Sequence, residues 1–175
     1  MMAKVVLVFV GGDSEIDKFI EHFSNGEDVN ISHAAMLLLN STLESTGVKE
    51  ANDPYPGVWP HDPAKYVDNP YAKFIEIEVP NLTAGEAEAR KLIGTPYGPG
   101  DCFRAGAYEM FGWKIPDNAF TMDCSEMDAR VVRAMEVPVL PELEPGQIAP
   151  ARLFRSIMQD WQGKDVTYRY RGLTP

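Results

Sequence analysis

A single α+β domain, built on a small antiparallel sheet packed against helices, is the fold class predicted by this sequence. Three observations predict it. At 175 residues the chain is about one domain long and large enough to bury a core. Its hydrophobic content of 45% and charged content of 24% belong to an ordinary globular chain, not a disordered one. Short strand-like and helix-like patterns alternate from end to end, with no internal repeat and no low-complexity linker to divide them. One domain spanning residues 1–175 follows.

In chain order, Lys4 to Val10 (KVVLVFV) reads as a buried strand stopped by Gly11-Gly12. Asp13 or Ser14 then caps a helix to about Phe23, whose Ile16, Phe19, Ile20 and Phe23 fall on one face, and Ser24-Asn25-Gly26 ends it. Ile31 to Leu39 is a nine-residue apolar run whose periodicity fits a strand or a short helix. The polar turn pair Asn40-Ser41 and a further strand from Thr42 favour the strand. Asn52 to Pro70 carries five prolines with Trp59, His61 and two tyrosines, and is expected to be largely irregular.

Ala72 to Val79 (AKFIEIEV) alternates apolar and charged residues with period two, the mark of a half-exposed strand. Thr83, with Glu86 three residues on, predicts a capped helix to about Ile93, ended by Gly94. A turn-rich segment from Thr95 to Gly100 leads to a second helix near Phe103 to Phe111, and Asp123 to Glu136 forms another. The proline-rich tail closes with a short helix over Pro150 to Trp161.

The net charge of -10 argues against a nucleic-acid partner and against binding an anionic membrane through a basic patch. Val5 to Val10 is far too short for a membrane span and lacks the flanks of a signal peptide. A cytoplasmic location is therefore expected, although a phage or autolysin-type protein leaves the cell by other routes. Two cysteines, Cys102 and Cys124, do not make a disulfide framework, but one bond between them is the alternative to a reactive thiol.

The residues with the most chemistry stand at Asp123-Cys124-Ser125-Glu126. Asp123 at the N-cap and Glu126 at N3 place Cys124 in the first turn, where outward N–H groups and the helix dipole favour a thiolate. The neighbouring carboxylates oppose that, so a thiolate there needs a cationic partner such as imidazolium. Met127, Val131 and Met135 share its helix face, which aims the thiol toward the core. His33 shares its strand face with Ala35, Leu37 and Leu39 and is likewise expected to point at the core side. A polar ring on an apolar face needs a reason, and a Cys–His pair gives one. The bland readings are a packed cysteine and a satisfied core histidine.

The order ISHAAMLLL, then TLEST, then a helix opening CSEMDARVV, resembles the permuted branch of the NlpC-type papain-like superfamily. That branch includes YiiX-like proteins and relatives of lecithin–retinol acyltransferase. Gly94-Thr95-Pro96-Tyr97 matches its G-x-P-Y segment, and Pro150 to Phe154 its helix after the nucleophile. The resemblance implies a circularly permuted papain-like fold and a cysteine-dependent amidase, peptidase or acyltransferase. Cys124 is then the nucleophile and His33 the base, acting on a peptide, amide or acyl-ester substrate. No cofactor and no metal are expected. His22, His33 and His61 also lack the close spacings of a zinc site.

The resemblance also puts a polar residue on the strand after the histidine, a position matched by Glu44, with Thr46 and Glu50 as rivals. A turn at Asn40-Ser41 sets Glu44 opposite Leu37, ~13 Å from His33 along the strand. A turn one residue earlier sets it opposite Ala35, diagonal to His33 and within reach. Tyr97 is a candidate for substrate contact, and Trp59 for the wall of a cleft or an ordered surface loop. Asp101-Cys102 near Arg104 is a weaker thiol site, having no base nearby in sequence. The competing expectation is a non-catalytic binding or phage-structural module that keeps the fold.

Overall fold

The computed structural model describes residues 2–12, 30–98, 100 and 120–172. The expected helices near 13–23 and 103–111, together with His22, Asp101, Cys102 and Arg104, lie outside the described residues. What is described is α+β: six strands in one antiparallel sheet, with helices packed on it.

The strands are β1 (Ala3–Val10), β2 (His33–Leu38), β3 (Ser41–Thr46), β4 (Gly57–His61), β5 (Ala72–Val79) and β6 (Lys164–Asp165), in spatial order β4-β3-β2-β1-β5-β6. The helices are α1 (Leu82–Leu92), α2 (Cys124–Ala134), α3 (Pro150–Gln159) and the single turn α4 (Thr167–Tyr170), with a 3-10 turn at Pro145–Gln147. No helix among the described residues is long and apolar enough to cross a membrane.

Strand β5 keeps the bounds its alternation predicts, and its burial alternates from Ile75 to Val79, while the adjacent Phe74 and Ile75 are both buried, one in each core. The run 31–39 is a strand and not a helix, over His33–Leu38. Its hairpin turns at Leu39-Asn40, one residue earlier than Asn40-Ser41. Both residues sit at positive φ (56° and 58°), the type I′ geometry that suits the twist of a two-residue hairpin. Met36 therefore pairs with Leu43, and the same register carries Glu44 level with Ala35.

The stretch 52–70 is less irregular than its prolines imply. It contains β4, which pairs with β3 from Thr42–His61 to Thr46–Gly57. Pro60 is tolerated because β4 is an edge strand, where a missing N–H can face away from the ladder. In α1 the cap is Asn81, whose side chain accepts from Ala84 N, not Thr83. The tail also adds β6 and α4, which sequence periodicity does not signal.

Both faces of the sheet are covered. On one, Leu7, Phe9, Ala34, Met36, Leu43 and Ile75 meet α1, α2 and α3 in the main core. On the other, Val8, Val10, Ala35 and Phe74 meet Tyr66, Val67, Val166 and Tyr170 in a smaller one.

Candidate functional site

Asp123 caps α2 as its sequence predicts: its carboxylate accepts from Glu126 N at 2.7 Å, and Cys124 opens the helix as a buried residue. The Glu126 carboxylate accepts from Arg130 Nε and Nη2 at 3.0 and 2.7 Å. Met127, Val131 and Met135 lie in the main core, as helical spacing requires.

His33 lies on the other face. Its ring stands beside Tyr66, centroids 6.0 Å apart, and Nε2 is 2.8 Å from Glu44 Oε2. The strand has two covered faces, so an apolar neighbourhood for the histidine does not by itself put it on the helix side. The two elements converge at one end of the sheet. Ser45, carried by the register level with Ala34, donates to Met122 O at 2.7 Å. Cys124 follows two residues later and lies within electrostatic reach of the Tyr66 hydroxyl.

Of the three residues considered behind His33, Glu44 is the one that touches it. The diagonal position set by the Leu39-Asn40 turn makes this possible. Thr46 bonds Val48 locally, its hydroxyl donating to Val48 O at 3.3 Å. Glu50 instead pairs with Lys65.

Glu44 is fully buried and takes four donors on its two oxygens. Oε2 faces His33 Nε2 and accepts from the Tyr66 hydroxyl at 2.5 Å. Oε1 is 2.7 Å from His61 Nδ1 and accepts from Lys65 Nζ at 2.5 Å. Burial opposes its charge, but the hydrogen bond and charge of His33, with those of Lys65, outweigh it. The carboxyl is held far below the ordinary range and is a permanent anion. The same carboxylate, together with burial, keeps the Tyr66 hydroxyl protonated far above its usual range.

A further ring of groups surrounds this one. His61 Nε2 stands 3.2 Å from Asp53 Oδ2, and Lys65 also donates to Glu50 Oε1. Ligand atoms of Glu44, Glu50 and His61 lie within 4.8 Å of one another, and the Lys65 ammonium pairs with the two carboxylates among them. Burial lowers the lysine pKa, but the two carboxylates more than compensate and raise it.

Sequence reading did not single out His61, Lys65, Tyr66 or Asp53 as one group. Their positions come from β4 and from the turns after it, with Ala64 N donating to Asp62 Oδ1 at 2.7 Å to bend the chain back. The available signal was Glu44 itself, a carboxylate on a strand face that needs counter-charges.

Trp59 and Tyr97 sit on the flank. Trp59 Nε1 donates to Tyr55 O at 2.9 Å, and the two rings meet edge-on at 5.3 Å. Tyr97 lies alongside Met122 in a bridge leading into Cys124, and its ring packs so closely on Gly47 that a Cβ there would stand 2.9 Å from it.

Asp128, one turn beyond Cys124, is fully buried, and neither of its carboxyl oxygens has a hydrogen-bond partner. Burial first, then the charges of Glu44 and Asp123, raise its pKa well above the usual range and so favour its neutral form. Comparison with protein-family models, with curated proteins and with solved structures finds no match for this chain.

Proposed function

We propose that the protein is a cysteine-dependent acyl-transfer enzyme, an amidase, peptidase or acyltransferase, on a circularly permuted papain-like fold. The observation that carries the reading is the His33–Glu44 pair: a part-exposed imidazole whose Nε2 is fixed by a buried carboxylate. That pairing leaves Nδ1 as the ring atom to take a proton. Cys124, at the start of a capped helix at the same end of the sheet, is the nucleophile.

In this mechanism His33 removes the thiol proton and the sulfur attacks a substrate carbonyl carbon. The resulting oxyanion is met by first-turn N–H groups of α2 other than that of Glu126, which Asp123 already holds. The imidazolium then gives its proton to the leaving group. Water attacks the acyl-enzyme in a hydrolase, and another acceptor does so in a transferase. Glu44 holds the ring orientation and balances the imidazolium charge. Tyr97 and Trp59 border the substrate side.

The test is the rate of alkylation by iodoacetamide against pH, in wild type and in the Cys124→Ala, Cys102→Ala and His33→Ala variants. Fast labelling well below pH ~8.5, where an ordinary thiol ionises, is expected to map to Cys124 and to slow without His33. Labelling of Cys124 only on unfolding, or at a rate indifferent to His33, sinks the catalytic reading in favour of a binding module.

A further inference from the structure

The base-side carboxylate is not an isolated third residue. Glu44 is shared between two imidazoles, a phenol and an ammonium, and only the ammonium carries a fixed positive charge. Lys65 reaches it from the turn after β4, with its side chain 22% exposed and its Nζ lying 5.2 Å from the centre of the Tyr66 ring. Nζ bridges the carboxylates of Glu44 and Glu50, so the network carries its own cation.

We propose that Lys65 is a positioning residue for the base: it holds Glu44 in place behind His33 and sets the pH at which His33 takes up a proton. The proposal rests on the reading of His33 as the base, and it reaches a residue that makes no contact of its own with the ring.

Its sign follows from the charged and titratable groups gathered around Glu44, behind His33. From β3 comes Glu44, from β4 His61, and from the loop between them Glu50 and Asp53. The turn after β4 supplies Lys65 and Tyr66, and α2 supplies Asp123, Cys124 and Asp128. Carboxylates outnumber cations here. A positive charge removed from this set makes the field at the ring more negative, and both imidazole and thiol then keep their protons to higher pH. Lys65 lies one carboxylate away from the ring and is partly exposed, so the expected effect is modest, about one pH unit.

The experiment follows the His33 ring signals by NMR through a pH titration, assigned by their loss in His33→Ala. Wild type is compared with Lys65→Met, Lys65→Gln and Lys65→Arg. The midpoint is expected to rise by about one pH unit in Lys65→Met and to return toward wild type in Lys65→Arg. A purely structural role for Lys65 does not predict rescue by charge. Lys65→Gln keeps a donor for Glu44 without the charge, and serves if Lys65→Met does not fold.

An unmoved midpoint in the neutral variants overturns the proposal, however Cys124 behaves. An ordinary thiol at Cys124 beside a Lys65-dependent His33 overturns the catalytic reading, and with it the role of His33 as base, while the coupling of Lys65 to His33 through Glu44 stands.

Discussion

At Glu44 a single buried carboxylate satisfies four side chains that come from three separate parts of the chain. Removing one partner of a buried charge network costs more than the network contributes, because the remaining charges are left without compensation. Glu44→Ala strands Lys65 and two imidazoles around an apolar gap, and is expected to lower unfolding free energy by about 3–5 kcal/mol. Glu44→Gln keeps an acceptor oxygen and the shape of the side chain, so a smaller loss is expected. Urea unfolding of both variants checks this, and equal, negligible losses would show that the cluster is solvated rather than structural. His33 was legible in the sequence as a polar residue on an apolar strand, and Glu44 through the resemblance, with Thr46 and Glu50 beside it. Lys65 and His61 were not, because no fixed spacing marks a group that forms only when β4 pairs with β3.

At the scale of the element, α2 shows how a local signal can be sufficient. Asp123 was readable as a cap because a short side-chain oxygen ahead of an apolar-periodic run satisfies an orphan first-turn N–H, and the helix starts where that rule puts it. Asp123→Ala should cost about 1 kcal/mol, and Asp123→Asn, which still accepts from Glu126 N, much less. Thermal or urea unfolding separates the two, and equal losses would mean that the carboxylate acts through its charge and not as a cap. Strand β5 was legible for the same kind of reason, its residues from Ile75 to Val79 alternating apolar and charged. Strand β4 was hidden by Pro60 and by the density of aromatic and turn residues around it. Only its edge position, a tertiary fact, makes that sequence acceptable as a strand. The β2–β3 register was the finest case. A one-residue difference in the turn decided whether Glu44 could reach His33, and residues 39–41 alone did not resolve it.

Across the whole molecule, two buried acids, Glu44 on β3 and Asp128 on α2, have their pKa values moved in opposite directions by the fold, and folding stability should record both. Glu44 has its pKa depressed in the fold, so its contribution is present above the unfolded carboxylate value near pH ~4.3 and is lost as pH falls through the folded value. Asp128 has its pKa raised. Its contribution is complete below the unfolded value near pH ~3.9, and is lost as pH rises from there toward the folded value, because the unfolded chain ionises first. An asparagine at 128 is neutral at every pH and nearly isosteric with the protonated acid. The Asp128→Asn variant should therefore gain on wild type by about 1.4 kcal/mol per pH unit above pH ~4, until Asp128 itself ionises in the folded chain. The acid limb governed by Glu44 should be common to both proteins. Urea midpoints measured at intervals from about pH 3 to 8 resolve the two limbs separately. Parallel curves would mean that Asp128 titrates alike in folded and unfolded chains, and so that its carboxyl meets water or a proton donor in solution. Divergence confined to the upper limb would establish a neutral acid one turn from Cys124, which lowers the negative potential at the start of α2 compared with an ionised carboxylate in the same place.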